Sequence, residues 1–307
     1  MARTKKQHIV PQCYLKRFSD DGEGIHAFDK FSRQVFPAKI ADVAQKRVFY
    51  DINPDLFEME TDPQVIEKFL SGLEGLYPAA LDAIEASAHT DTITPDVREA
   101  IAFFIQLQVS RTREFRERMI EVFGAGEAAF RERAARDGFK GELPDLSHLA
   151  AFRPEHAATW QGILLGNPTV VMDLAAPLLD MIWILGANNT DELLYTSDNP
   201  VIRQAHKKSP LIGSGGWTAE GSEVQLPINP RLVLVLKERT FFAEQIPLDG
   251  KIVELNDDDV RYCNHLQVSN CWQQVYCSRP DFSTARRVCD DYPELCEEGR
   301  HRLNFVE

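Results

Sequence analysis

The stretch from Thr94 to Val122 sets the hardest condition on how this chain can fold. Thr94-Pro95 is a helix-start signal, an N-cap hydroxyl followed by proline at the first helical position. Behind it Val97, Ile101, Phe104, Phe115, Met119 and Val122 fall on one stripe, which predicts a single long helix. At 100° per residue, Gln108 and Arg111 sit within about 40° of the centre of that stripe. A helix that buries the stripe buries an amide and a guanidinium, or lines a cavity with them. An unpaired buried charge is costly enough that partners must come from elsewhere in the chain. Glu67 and Glu74 are the candidates, two turns and about 10 Å apart on the preceding helix. The pattern allows two readings: a core Arg–Glu pair tying two helices together, or Arg111 pointing into a site and binding an anion.

The flanking sequence predicts an α+β protein, a helical bundle core with a mostly antiparallel sheet formed by the N-terminal and C-terminal parts. Short apolar runs at Ile25–Phe28, Gln34–Phe36 and Arg47–Tyr50, broken by Asp20–Gly24, read as strands. Asp62-Pro63 starts a helix that carries Ile66, Leu70, Leu73, Tyr77, Leu81 and Ile84 on one face. Residues 124–140 read as an exposed helical continuation and 141–154 as a linker. Helices follow over 155–165 and 170–179, the first stopped at Gly166-Asn167-Pro168. Ile182–Leu185 and Glu192–Thr196 read as a strand and its return. Gly213–Gly216 reads as a flexible loop, and strands at Val224–Ile228 and Leu232–Leu236 flank the Asn229-Pro230 turn. A helix over Asn256–Val268 and a strand over Gln274–Cys277 close the pattern. The expectation is one domain over 1–307: an N-terminal strand segment (1–60), a helical region (62–180), a strand-rich region (181–280) and a tail (281–307).

With 307 residues, 44% of them hydrophobic and 26% charged, the composition is globular and excludes fibrous or disordered classes. The net charge of −13 argues against a surface that grips nucleic acid as a whole. Charge is uneven, however: residues 1–50 hold ten Lys/Arg against five Asp/Glu, and the rest hold 24 against 42. A basic segment on an acidic body attracts an anionic substrate or docks on that body. The basic start lacks an apolar region behind it, and Pro168–Ala187 is interrupted by Asp173, Pro177 and Asp180. Both observations favour a cytoplasmic chain without a membrane span. Six cysteines, five of them in the last 45 residues, contain no C-x-x-C pair. Reduced thiols are expected, with a metal knot as the alternative.

Two clusters carry chemistry. Gln7–Phe18 packs His8, Gln12, Tyr14 and Arg17 into ten residues: an imidazole, an amide, a phenol and a fixed cation, able to move a proton and hold a phosphate or carboxylate. Alternatively the segment only packs, anchored by Ile9, Val10, Tyr14, Leu15 and Phe18. Ser197-Asp198-Asn199-Pro200 follows an apolar strand, where side chains are held rigidly yet remain reachable. The plain alternative there is an Asx-type turn. No G-x-S-x-G elbow, Walker A loop, H-E-x-x-H helix or Rossmann glycine pattern is present.

The opening H-x-V-P-Q-x-Y-L-x-x-F pattern and Ser197-Asp198-Asn199-Pro200-Val201 resemble the bacterial domain-of-unknown-function family 4238. That family's pattern also includes a Glu-bearing helix, a Q-x-x-R-T helix and an L-P-[ILV]-[NS]-P turn. They match Glu67 and Glu74; Gln108, Arg111 and Thr112; and Leu226–Pro230. The resemblance spans about His8 to Ser278, with Cys13 standing where an aromatic is common. It implies a shared fold and no reaction type.

The leading expectation is a hydrolase or transferase, phosphodiesterase- or nuclease-like, acting on a nucleotide or nucleic acid. His8 would act as general acid or base oriented by Asp198. Arg111 and Arg17 would bind the anion, and Gln12, Tyr14, Glu74, Gln108, Ser197 and Asn199 would complete the substrate contacts. Mg²⁺ held by Asp198 and a glutamate is compatible with this, although no spacing demands it. The rival is a non-enzymatic ligand-binding or sensing protein of the kind used in phage defence.

Overall fold

The computed structural model describes residues 6–51, 62–90, 92–136, 138, 156–207 and 216–300. The predicted linker and the first three residues of the Gly213–Gly216 loop lie outside these. The chain opens with β1 (Lys6–His8) and the one-turn helix α1 (Gln12–Leu15), followed by the hairpin β2 (Gly24–Asp29) and β3 (Gln34–Lys39). Strand β4 (Gln45–Arg47) then returns to pair with β1, His8 opposite Gln45. The expected strand over Arg47–Tyr50 is thus displaced toward the N-terminus: Val48 turns the chain at φ +47°, which ends the ladder.

The helical region comprises α2 (Val65–Glu74), α3 (Tyr77–Thr90), α4 (Pro95–Ser110), α5 (Arg113–Arg136), α6 (Ala157–Leu165) and α7 (Pro168–Leu179). Two helices expected as continuous are each broken. The 62–84 stripe divides around Gly75–Leu76. The 95–122 stripe breaks at Arg111–Thr112, where Gln161 on α6 donates to the carbonyls of Ser110 (2.8 Å) and Thr112 (3.0 Å). A continuous apolar stripe does not reveal such breaks, because the residues beyond each one keep nearly the same phase. The Thr94-Pro95 start signal forms as read, with Thr94 Oγ1 accepting the Val97 amide.

The strand-rich half holds β5 (Ile182–Asn188), β6 (Thr196–Ser197), β7 (Ile202–Ala205), β8 (Ser222–Asn229), β9 (Leu232–Lys237) and β10 (Lys251–Leu255). It continues with α8 (Asp257–Asn270), β11 (Gln274–Cys277) and α9 (Ser283–Asp291). A five-stranded sheet runs β10-β5-β9-β8-β7, antiparallel except for β10 on β5. Its inner strand β5, between β10 and β9, is almost wholly buried, as its unbroken apolar run requires. The hairpin expected between 182 and 196 does not form. Strand β5 pairs with β9, and the return segment joins another sheet.

That second sheet runs β3-β2-β11-β6, all antiparallel, so the last strand of the chain inserts between the first hairpin and Thr196–Ser197. The fold is α+β, with the four-stranded sheet drawn from both ends of the chain. The segment after 281, expected as a tail, forms α9, which buries Ala285, Val288 and Cys289 against Phe28, Tyr195 and Phe282. Among the described residues no single helix is long and apolar enough to cross a membrane; α6 and α7 reach that composition only jointly, across a 78° bend.

Candidate functional site

Arg111 caps the C-terminus of α4 and is 1% exposed. Its Nη2 donates to the His8 carbonyl at 2.5 Å and to Glu74 Oε1 at 3.1 Å, and its Nε lies 3.4 Å from Tyr50 Oη. Tyr50 Oη in turn donates to the Arg111 carbonyl at 2.8 Å. One turn earlier, Gln108 Nε2 donates to the carbonyl of Ile9 at 3.1 Å. Both anomalies of the apolar stripe are therefore aimed at β1 and the residue after it, and α2 supplies the carboxylate. The core Arg–Glu pair exists.

The pairing is incomplete. His8 Nε2, Gln108 Oε1 and Arg111 Nη1 are buried, and none has a hydrogen-bond partner. These are a ring nitrogen, an amide acceptor and a guanidinium donor from two elements joined through the His8–Ile9 backbone. Leaving one such group unsatisfied costs about 1–3 kcal/mol. Three such groups around one stretch of backbone form the largest unpaired polar set near α4 and β1 and call for a physical explanation.

The titrating groups are tuned apart. Burial pulls the His8 imidazole below its usual value and the Arg111 charge adds to that, against Glu74 and the Ala41 backbone. His8 is therefore neutral at pH 7. Because Nε2 has no partner, the hydrogen bond to the Ala41 backbone falls to Nδ1, which leaves Nε2 as a bare lone pair. Burial pushes the Glu67 carboxyl up to about 7, opposed by Arg111 and reinforced by Glu74 and Asp51. Cys13 lies in the same electrostatic neighbourhood, its thiol pushed up chiefly by burial and then by Glu74.

The remaining expected site residues do not join this cluster. Asp198 does not orient His8. Its Oδ1 accepts the Trp272 amide (2.7 Å), and its Oδ2 accepts those of Gln273 (2.8 Å) and Gln274 (3.0 Å). Burial raises it to about 6, those three amides and Lys30 opposing the rise. Ser197 Oγ donates to Gln267 Oε1 (2.7 Å), and Asn199 Nδ2 donates to the Asn270 carbonyl (3.0 Å). The Ser197–Pro200 turn is thus stapled to α8 and the turn leading into β11. It is more than a local Asx turn, since its acceptors serve backbone over 70 residues away.

Tyr14 Oη donates to the Pro227 carbonyl (2.6 Å) and meets Thr196 Oγ1 (2.9 Å), while Arg17 is paired with Asp82 and Glu85 on α3. Both are consumed in seating α1, whose neighbours Ile9, Val10, Leu15 and Phe18 are buried. Gln12 is half-buried at the first position of α1. As a magnesium ligand Asp198 is poorly placed, because both oxygens already accept backbone amides. Among the described residues no three His, Cys, Asp or Glu side chains converge as metal ligands, the cysteines included. All six cysteines are free thiols.

Sequence reasoning named Glu67 only as an acceptor for Arg111 and missed its titration near neutrality, which comes from burial rather than from any motif. It also missed a hollow of about 260 Å³ beside Thr112, lined by Asn199, Phe115, Arg118, Arg203 and Trp217. Another, of about 500 Å³, adjoins Asp198 and is rimmed by Lys46, Arg47 and Arg113.

No curated protein and no solved structure matches the chain. The model of a family described as "Protein of unknown function (DUF4238)" matches residues 6–281, from β1 to two residues short of α9, and the chain belongs to that family.

Proposed function

We propose that the chain is an acid–base enzyme, a hydrolase or transferase acting on a phosphate-containing substrate such as a nucleotide or nucleic acid, with His8, Glu67, Gln108 and Arg111 as its working groups. The observation that carries this reading is the set of three buried, unpartnered atoms on His8, Gln108 and Arg111. A neutral imidazole with a bare Nε2 suits a general base, and a carboxyl titrating near 7 suits a general acid. In this reading His8 Nε2 takes the proton of an attacking water or hydroxyl, whose oxygen bonds to phosphorus. The phosphorus–oxygen bond to the leaving group breaks, and Glu67 protonates the oxygen released. Arg111 Nη1 donates to a non-bridging oxygen, and Gln108 Oε1 accepts from a substrate hydroxyl or N–H. Asp198 has no step in it.

The test is turnover of RNA, DNA, nucleotides and NAD by the purified chain, with and without Mg²⁺, beside His8→Ala and Glu67→Gln. Removing the general base should lower the rate about 10²–10⁴-fold. A folded His8→Ala protein with full activity would sink the proposal.

A second reading, a non-enzymatic ligand-binding or sensing protein, is favoured by one observation: Arg111 already spends Nη2 on Glu74 and a carbonyl and Nε on Tyr50, leaving only the Nη1 amino group for an anion. Saturable binding by a member of the same panel, without turnover and lost in Arg111→Lys, would select it.

A further inference from the structure

We infer that Gln45 is a specificity-determining residue of the His8 site and that the hollow along β4 seats the nucleoside part of its substrate, an inference that rests on the function proposed above. Gln45 stands directly opposite His8 in the β1–β4 ladder. Side chains opposite one another in an antiparallel pair share a face, with their Cβ atoms about 5 Å apart. Like His8 Nε2, Gln45 Oε1 is buried and has no hydrogen-bond partner. The two neighbours thus offer a bare ring nitrogen and a bare amide oxygen side by side. The first can take a proton, and the second can only accept a hydrogen bond. Among the described residues none donates to Gln45 Oε1, whereas a substrate N–H or O–H would satisfy it on binding.

The same side chain lines the hollow of about 500 Å³, a size within the range of small-ligand sites. Gln45 is therefore a residue that the hollow and the His8 cluster share. Both carboxylates of the lining are already engaged, Asp42 with Lys6 at 2.7 Å and Asp198 with three backbone amides. Strand β4 is also held in an unusual way. Ala44 before it and Val48 after it both have left-handed backbones, with φ of +46° and +47°. A β-branched residue there is strained, and such strain gathers where a segment must be held in place for a ligand. A nucleotide whose phosphate meets Arg111 Nη1 and that extends past His8 enters the hollow at Gln45, where its base or sugar supplies the donor.

Calorimetric titration of the full chain with AMP, CMP, GMP and UMP, beside thermal melting, tests this. Gln45→Met keeps the length of the side chain and removes the acceptor. It should weaken the tightest of the four about tenfold, the worth of one buried hydrogen bond, and narrow the spread of affinities among them. The variant should melt at or above the parent, because it removes an acceptor that the free protein leaves unsatisfied. A purely structural glutamine would do the reverse, lowering the melting temperature and leaving the spread intact. Binding that Gln45→Met leaves unaltered, or a lowered melting temperature in that variant, would overturn this inference alone. No binding by any of the four at millimolar concentration would overturn it too, whatever else the chain turns over. Gln45-dependent binding beside full turnover in His8→Ala would sink the catalytic reading and support the assignment of Gln45.

Discussion

At the scale of the residue, Arg111 ties the end of α4 to β1 and α2, and Glu67 in the first turn of α2 carries a carboxyl raised by burial. Arg111→Leu strands Glu74, the His8 carbonyl and Tyr50 Oη together. Glu74 keeps contact with solvent, so the cost is set by the buried acceptors left behind, about 1–3 kcal/mol, which urea denaturation would read as a lowered midpoint. His8→Ala removes a ring that makes a single backbone hydrogen bond and should stay within about 1 kcal/mol of the parent. Glu67 supplies a pH signature. Its folded-state value, about 7, lies above the usual glutamate value, so the native chain holds a proton that the unfolded chain has released. Stability from this group is complete below about pH 4.5 and is lost as pH rises through about 7. Thermal melting of the parent should therefore fall between pH 5 and 8 more than that of Glu67→Gln; parallel slopes would refute the assignment. Gln108 and Arg111 were legible in the sequence because helical period alone puts polar groups on an apolar face. Glu67 was not, since the desolvation that raises it depends on what packs over α2.

Among the elements, the break between α4 and α5 decides where Arg111 points. An uninterrupted helix would use the Ser110 carbonyl internally; here Gln161 on α6 claims it together with that of Thr112, and its own Oε1 accepts Arg116 Nε at 2.7 Å. One amide satisfies a helix end from about 50 residues away. Gln161→Leu leaves the Ser110 carbonyl and a guanidinium N–H without partners, leaves the Thr112 carbonyl only the Arg116 amide at 3.4 Å, and should cost about 1–3 kcal/mol. It should also weaken any ligand that binds at the His8 cluster, although Gln161 touches none of that cluster's unpartnered atoms. Denaturant midpoint and ligand titration on the same variant check both parts. The Thr94-Pro95 helix start was readable, since it carries its own hydrogen-bonding and dihedral logic in two residues; Asn167-Pro168, read as a stop, also starts α7 by that logic, two residues earlier than expected. The break was hidden because its cause lies on α6. Strand existence was readable at β8, β9 and β11, and β8 and β9 pair across the Asn229-Pro230 turn, but the partners of β5 and β11 were not readable. The apolar run of β5 fits any buried strand, and only the assembled sheet sets it beside β9 and β10.

Across the whole molecule, the four-stranded sheet closes one end of the chain onto the other, and Asp198 is the residue that holds the closure. Its carboxylate gathers the amides of Trp272, Gln273 and Gln274 as the chain leaves α8 for β11, and its own amide donates to the Gln274 carbonyl at 3.0 Å. Lys30, at the end of β2, is buried beside it and donates to the Cys271 carbonyl at 2.6 Å, capping α8 from the first hairpin. Nothing in the Ser-Asp-Asn-Pro tetrapeptide distinguishes such a structural acceptor from a catalytic carboxylate, because its partners are backbone amides without a side-chain signature. Stability separates the two. With three buried N–H groups deprived of an acceptor, Asp198→Ala should lose about 3 kcal/mol or more. Asp198→Asn should lose less, because the amide oxygen still serves part of the set while its NH₂ opposes the rest. Were Asp198 catalytic instead, Asp198→Asn would melt with the parent and lose only turnover. The amides of β11 report the same distinction by hydrogen exchange. If Asp198 closes the sheet, their protection drops in Asp198→Ala together with that of β2, the strand they pair with.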